Sequence, residues 1–205
     1  MNSFDKLKEI FTEFPGIGPR QAERFAYFLL SRDESYIKEI QNLIGSIKKD
    51  VTQCKECMRY FADRGSENRC RICSDESRSR DTLMLVAKDN DLSTIEKSGA
   101  YSGRYFVLGG IIPILEKNPE KRVRLPFLER QLEQNKNDLK EIIFALSATH
   151  EGEHTAEFLS SKIKAIIPNI KISELGRGLS TGLEIEYSDG DTIKAALQNK
   201  KASTL

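Results

Sequence analysis

The chain has 205 residues, 39% hydrophobic and 31% charged, with a formal net charge of +1. That is enough for one large or two to three small folded units, and it excludes a disordered or collagen-like chain. Near-neutral charge neither argues for a nucleic-acid partner nor excludes a local basic patch. No basic-then-apolar leader opens the sequence. The longest apolar runs, near Ile142–Leu146 and Ala165–Pro168, fall well short of the roughly 20 residues that span a bilayer. The expectation is a cytoplasmic protein with no membrane association.

In chain order, Phe4, Leu7, Ile10, Phe11 and Phe14 recur at helical spacing. Pro15-Gly16-Ile17-Gly18-Pro19 must interrupt that helix with a tight turn. Ala22, Phe25, Ala26, Leu29 and Leu30 predict a second helix, and Ile37 to Ile47 a third. Residues 51–81 carry many charges and few large aliphatics, so they need something other than a core to fold. Beyond them, strands are predicted at Leu83–Ala87, Tyr105–Leu108, Glu141–Leu146, Ile170–Ile172 and Leu183–Tyr187. Helices are predicted at Asp91–Ser98, Phe127–Asn135, Glu153–Ile166 and Asp191–Leu197, with Gly109–Pro126 as a loop. Strands alternating with helices imply an α/β fold around a mostly parallel sheet.

All four cysteines lie in this middle stretch, as Cys54-x2-Cys57, twelve residues, then Cys70-x2-Cys73. Two such knuckles can fold back to complete a tetrahedron of thiolates, which suits one structural Zn²⁺ per chain. With no histidine in the stretch, the site is expected to be closed. Two disulfides, a redox CxxC or an iron–sulfur cluster are the alternatives. A reducing compartment and two matched pairs favour zinc.

The turn Phe14-Pro15-Gly16-Ile17-Gly18-Pro19-Arg20 between two amphipathic helices resembles the helix-hairpin-helix motif of DNA-binding proteins. Gly16 and Gly18 leave the turn bare, so backbone N–H groups at a helix start can approach a phosphate. Arg20 and Arg24, one turn apart, share a helix face and can reach neighbouring phosphates. A plain helical hairpin with solvated arginines is the alternative.

With CKECMRYF, CRICSDESR, IEKSGAYSGRYFVLGG, HEGEHTA and GRGLSTGLEIEYSDGDTIKAAL following FPGIGPRQAERFAYFLL, nearly the whole chain resembles the RecR family of bacterial recombination mediators. The resemblance implies four parts: a helix-hairpin-helix region at 1–52, a four-cysteine zinc finger at 53–80, a Toprim domain at 81–175, and a strand-helix segment with tail at 176–205. It also implies a homo-oligomer, dimer to tetrameric ring, that acts with RecO and RecF to load recombinase on DNA at gaps or single-strand/double-strand junctions. Toprim enzymes hold Mg²⁺ with a Glu after the first strand and an Asp-x-Asp after a later one. Here those positions are Ala87, Ser147 and Thr149, which argues for a non-enzymatic adaptor and against a Mg²⁺-dependent nuclease or primase-like enzyme. Asp91, Glu151 and Glu153 remain as a partner-docking surface, a residual Mg²⁺ site, or solvated acids near helix starts.

Two further patterns are weaker. His150-Glu151-Gly152-Glu153-His154 matches the zincin HExxH, but Gly152 disfavours the helix that motif requires, and the chain has no third histidine. Gly176–Gly182 is glycine-rich but lacks the Gly-Lys-Ser/Thr ending of a P-loop. The tail from Lys194, with Lys200 and Lys201, fits an interchain arm, a DNA-facing fringe or a frayed end.

Overall fold

A computed structural model describes residues 2–62, 65 and 68–200. Lys201 and the rest of the tail's end lie outside the described residues. The chain divides into two compact units, Met1–Val51 and Thr52–Leu205.

The first unit holds α1 (Ser3–Thr12), α2 (Pro19–Leu30) and α3 (Glu34–Asp50). Asn2 caps α1 by accepting the Asp5 N–H at 2.9 Å, and Asp33 caps α3 by accepting that of Tyr36 at 2.9 Å. Helices α1 and α2 meet through tilted and edge-on rings, Phe4 against Tyr27 and Phe11 against Phe25. An ion pair from Lys8 to Glu23 at 3.1 Å joins them at the surface. Among the described residues of this unit, only Ala22 and Ala26 are fully buried. Phe25, Phe28, Leu43, Ile44 and Ile47 stay exposed.

The second unit starts with a two-stranded ribbon, β1 (Val51–Gln53) with β2 (Tyr60–Ala62), and a single turn, α4 (Arg71–Ser74). A parallel sheet follows, in the order β4 (Arg104–Val107), β3 (Thr82–Val86), β5 (Glu141–Ala145), β6 (Lys171–Glu174). Its helices are α5 (Asp89–Ser98), α6 (Leu125–Asn135), α7 (His150–Ile166) and α8 (Gly190–Gln198). This is the α/β architecture the sequence predicts.

Strand parity divides the core in two. Leu83, Leu85, Phe106, Ile142 and Phe144 point to one face, where Leu128, Leu132, Leu159 and Ile163 of α6 and α7 cover them. Met84, Val86, Tyr105 and Val107 point to the other. That second face is covered by Leu92 of α5 and by the four cysteines themselves. The cysteine module is therefore a layer of this unit, packed where an α/β fold commonly places a second helix.

Three expectations are corrected and one element is added. Leu183–Tyr187 is not a strand; Ile185–Tyr187 is a turn of 3₁₀ helix. The stretch 109–126 is not all loop, since it contains 3₁₀ helix at Pro119–Lys121 and α6 begins at Leu125 with Pro126 in its first turn. The ribbon β1–β2 was not predicted. Helix α7 starts at His150, with Gly152 inside its first turn.

Gly152 sits there because of a close approach. A Cβ on it would lie 2.0 Å from the Ser147 carbonyl oxygen, a backbone atom that cannot swing away. Thr149 caps the helix by accepting the Gly152 N–H at 3.2 Å. One turn on, the buried Thr155 hydroxyl donates to the Glu151 carbonyl at 2.6 Å and accepts the Ile112 N–H at 2.9 Å, tying α7 to the loop after β4. Gly152→Ala should destabilise this unit by about 1–3 kcal/mol, the usual range for overpacking. Calorimetry should show it as a fall of several degrees in Tm.

Candidate functional site

Two arrangements in the chain have the chemistry of a site. The first is the hairpin. Phe14, Pro15, Gly16 and Ile17 form a turn closed by Ile17 N–H donating to the Phe14 carbonyl at 3.0 Å. Gly16 has φ +79°, the left-handed value that a turn with proline in the second position asks of its third residue. Gly18 then caps α2 without a side chain, and Pro19 starts the helix. Nothing lies within 4 Å of where a Cβ of Gly16 or Gly18 would stand. No acid occupies the first turn of α2. Arg20 and Arg24 are both exposed on this helix, Arg24 reaching only Gln21 Oε1 at 3.5 Å. The helix start is thus bare, positive and open, as phosphate binding requires.

The second arrangement is the cysteine cluster. The sulfurs of Cys54, Cys57, Cys70 and Cys73 all lie within 4.8 Å of one another, and all four residues are buried. The Cys57 and Cys70 sulfurs are 3.6 Å apart. A disulfide would need about 2.0 Å, whereas a tetrahedron of thiolates around Zn²⁺ has edges of about 3.8 Å. The knuckles close through Met58 N–H donating to the Cys54 carbonyl at 3.0 Å and Cys70 N–H donating to Cys54 Sγ at 3.4 Å. Met58 takes φ +61° to make the turn. Hydrogen bonds from Cys57, then Cys70 and Cys73, hold the Cys54 thiol far below its ordinary range. The same proximity, to Cys54 first, pushes Cys73 far up. Four thiols in one buried site cannot all ionise side by side, and a divalent cation relieves that conflict. The donor set fits a metal ion.

What the module touches explains its purpose better than its ligands do. The Val107 N–H donates to the Cys57 carbonyl at 2.8 Å, so the edge strand β4 bonds directly to a knuckle. Arg124 donates to the Met58 and Val107 carbonyls at 2.7 and 3.1 Å and lies over the Tyr60 ring. Asp89 accepts the Tyr60 N–H at 2.7 Å. Met58 itself enters the core on the opposite face of the sheet. Sequence reasoning missed Arg124 and Asp89, whose partners Met58 and Tyr60 lie 66 and 29 residues away.

The acid positions are less productive. Ala87 is buried just after β3, and its carbonyl accepts the Gly109 N–H at 3.0 Å. A methyl group there cannot ligate a cation. Asp91 caps α5 by accepting the Lys88 N–H at 2.9 Å. Glu151 is exposed in the first turn of α7. Glu153 pairs with Arg177 at 2.6 Å, and that hydrogen bond holds its carboxyl below the usual range. Among the described residues, the four cysteines are the only His, Cys, Asp or Glu group close enough to share a metal ion. His150 and His154 do share a helix, contrary to the expectation drawn from Gly152, but they join no such group. Of the Gly176–Gly182 loop, Gly176, Arg177 and Gly178 line a cavity of about 630 Å³ beyond the ends of β5 and β6. Arg177 there is tied to Glu153 and Glu174, and Gly178 lies against Ala196 of α8.

A family model described as RecR, helix-hairpin-helix matches residues 4–47, and a Toprim domain model matches residues 81–175. A recombination protein RecR from Lactobacillus helveticus is 33% identical over 196 residues, covering 96% of this chain and 95% of that protein. Those of Streptococcus mutans and Leuconostoc citreum are 34% and 35% identical, each covering 95% of this chain and 94% of its own. The chain belongs to the RecR family of recombination proteins. The resemblance stated from the sequence is thereby borne out. No helix among the described residues is long and apolar enough to cross a membrane.

Cys57→Ser should remove the bound metal, measured by plasma mass spectrometry. It should also open residues 51–81 to limited proteolysis, because the knuckle that presents the Cys57 carbonyl to β4 is shaped by the cluster. Full metal content with an unchanged digestion pattern would contradict both roles.

Proposed function

We propose that this protein is a non-enzymatic, DNA-binding recombination mediator of the cytoplasm, organised in the four parts 1–52, 53–80, 81–175 and 176–205. The observation that carries this reading is the bare Gly16–Gly18 turn leading into a helix start with no acid in its first turn and with Arg20 and Arg24 exposed. Such contacts bind phosphates without reading sequence, which suits a factor that acts at gaps and junctions of any sequence. Family membership supports a partnership with RecO and RecF. With Glu153 paired to Arg177, the exposed Glu151 is the acid left to offer a basic partner a docking point.

The metal is Zn²⁺, one per chain, held by Cys54, Cys57, Cys70 and Cys73. Zinc at such sites contributes about 10–16 kcal/mol, comparable with the whole net stability of a domain, about 5–15 kcal/mol. Its role is therefore to hold the second unit's layer in place.

Homo-oligomerisation is supported by the first unit, which leaves Phe28, Leu43, Ile44 and Ile47 exposed. Each such side chain gains about 1.5–3 kcal/mol on full burial, and a partner copy supplies the missing cover. Light scattering should give at least a dimer; a stable monomer would remove the basis for encirclement of DNA.

Arg20→Ala with Arg24→Ala should weaken binding to gapped duplex and flatten its salt dependence by about 1.8 in log–log slope, for two phosphate contacts at about 0.9 each. In the same samples Mg²⁺ or Mn²⁺ should produce no cleavage or primer synthesis, because residues 87, 147 and 149 offer no carboxylate. Metal-dependent turnover would replace this reading with that of a Toprim enzyme.

A further inference from the structure

The cysteine module carries a second basic surface, on residues other than those of the hairpin. Arg59, Phe61, Arg69 and Arg71 line one open cavity of about 480 Å³. Arg69 is occupied, donating to Glu56 Oε1 at 2.6 Å and to the Cys73 carbonyl at 2.7 Å. Arg59 and Arg71 are not. Among the described residues, neither guanidinium has a hydrogen bond or an ion pair, and Arg59 Nε is buried with no partner at all. No carboxylate lines the cavity among those residues.

A buried guanidinium N–H without an acceptor costs stability, more than a neutral donor would. Nε itself is out of solvent's reach, but Arg59 and the exposed Arg71 line one cavity wall, so an anion entering the cavity meets both residues. Arginine matches phosphate oxygens better than a point charge does, because its donors are arranged as a fork. Phe61, half-buried against the cysteine core, lines the same cavity and adds an aromatic ring that a simple anion site does not need. Bases of a duplex are already stacked on each other, while those of a single strand are available to such a face.

We infer that this cavity is a nucleotide subsite for single-stranded DNA, in which Arg59 and Arg71 take a backbone phosphate and Phe61 stacks one base. The inference rests on the DNA-binding reading above and adds to it a second point of attachment, one that distinguishes single strand from duplex.

The test uses the full-length protein, a labelled oligo-dT strand and a blunt duplex, with anisotropy measured across a salt series. Arg59→Gln with Arg71→Gln should weaken strand binding about tenfold and flatten its salt slope by about 0.7 for each phosphate no longer neutralised. Phe61→Leu should weaken strand binding about fivefold or more, within the usual effect of losing a stacking partner, and leave duplex binding unchanged. Arg20→Ala with Arg24→Ala serves as the parallel arm. If that pair weakens binding and the module variants do not, the subsite is overturned and the hairpin reading stands. If the wild-type protein binds neither DNA, both fall. Free dTMP competing as well as the strand would overturn the assignment to a strand. Should Arg59→Gln lose metal, the exposed Arg71→Gln alone is measured. Photocrosslinking of wild-type protein to a 5-iododeoxyuridine strand then decides: an adduct at Phe61 supports the subsite, and adducts confined to residues 15–24 overturn it.

Discussion

One main-chain hydrogen bond connects the metal chemistry of this protein to its fold: the Val107 N–H on the Cys57 carbonyl. Through it, the edge strand of the parallel sheet is continued by a metal knuckle instead of ending in water. An edge strand ordinarily presents unpaired N–H and C=O groups that invite association with other chains. Here the knuckle takes one of them, Arg124 takes the Val107 carbonyl, and Asp89 fixes the neighbouring Tyr60. The cysteines then lie over Met84, Val86, Tyr105 and Val107 as a cover for one face. The module is usefully described as a wall of the second unit, built on four clustered cysteines instead of on large apolar side chains.

The same unit has packing groups at the positions where the resemblance would place Toprim acids. Where an acid would project from the end of β3, the Ala87 methyl is buried. After β5, Thr149 is used to cap α7, and the approach of Gly152 to the Ser147 carbonyl closes the turn tightly. Glu153, the nearby acid, is neutralised by Arg177. The ends of the strands, where α/β folds commonly hold ligands, are thus lined here by groups already bonded to one another.

How much of this was legible in the sequence depends on the range of the interaction responsible. The cysteine spacing is local and chemically specific, so the cluster could be named from four letters and their intervals. The hairpin is legible for the same reason: Pro15, Gly16, Gly18 and Pro19 leave the backbone few alternatives. Strands β3, β4 and β5 were legible from their apolar runs. Leu183–Tyr187 alternates like a strand, but alternation makes a strand only beside a neighbour, and among the described residues none pairs with it. Gly152 misled because its reason for being glycine is its closeness to Ser147, five residues back, which no periodicity reports. That the cysteines face a sheet could not be read at all, since Val107 and Arg124 lie far along the chain.

That separation along the chain has a consequence for how the protein is made. The ribosome releases Cys73 before any strand of the parallel sheet, and Val107 and Arg124 later still. For that interval the knuckles have neither the sheet below them nor the arginine beside them. An ion held by the four thiols would give the knuckles their shape before the surface they will cover exists. A chain whose four thiols had no ion to gather around would present β4 without its neighbour ready, and with it an unprotected sheet edge.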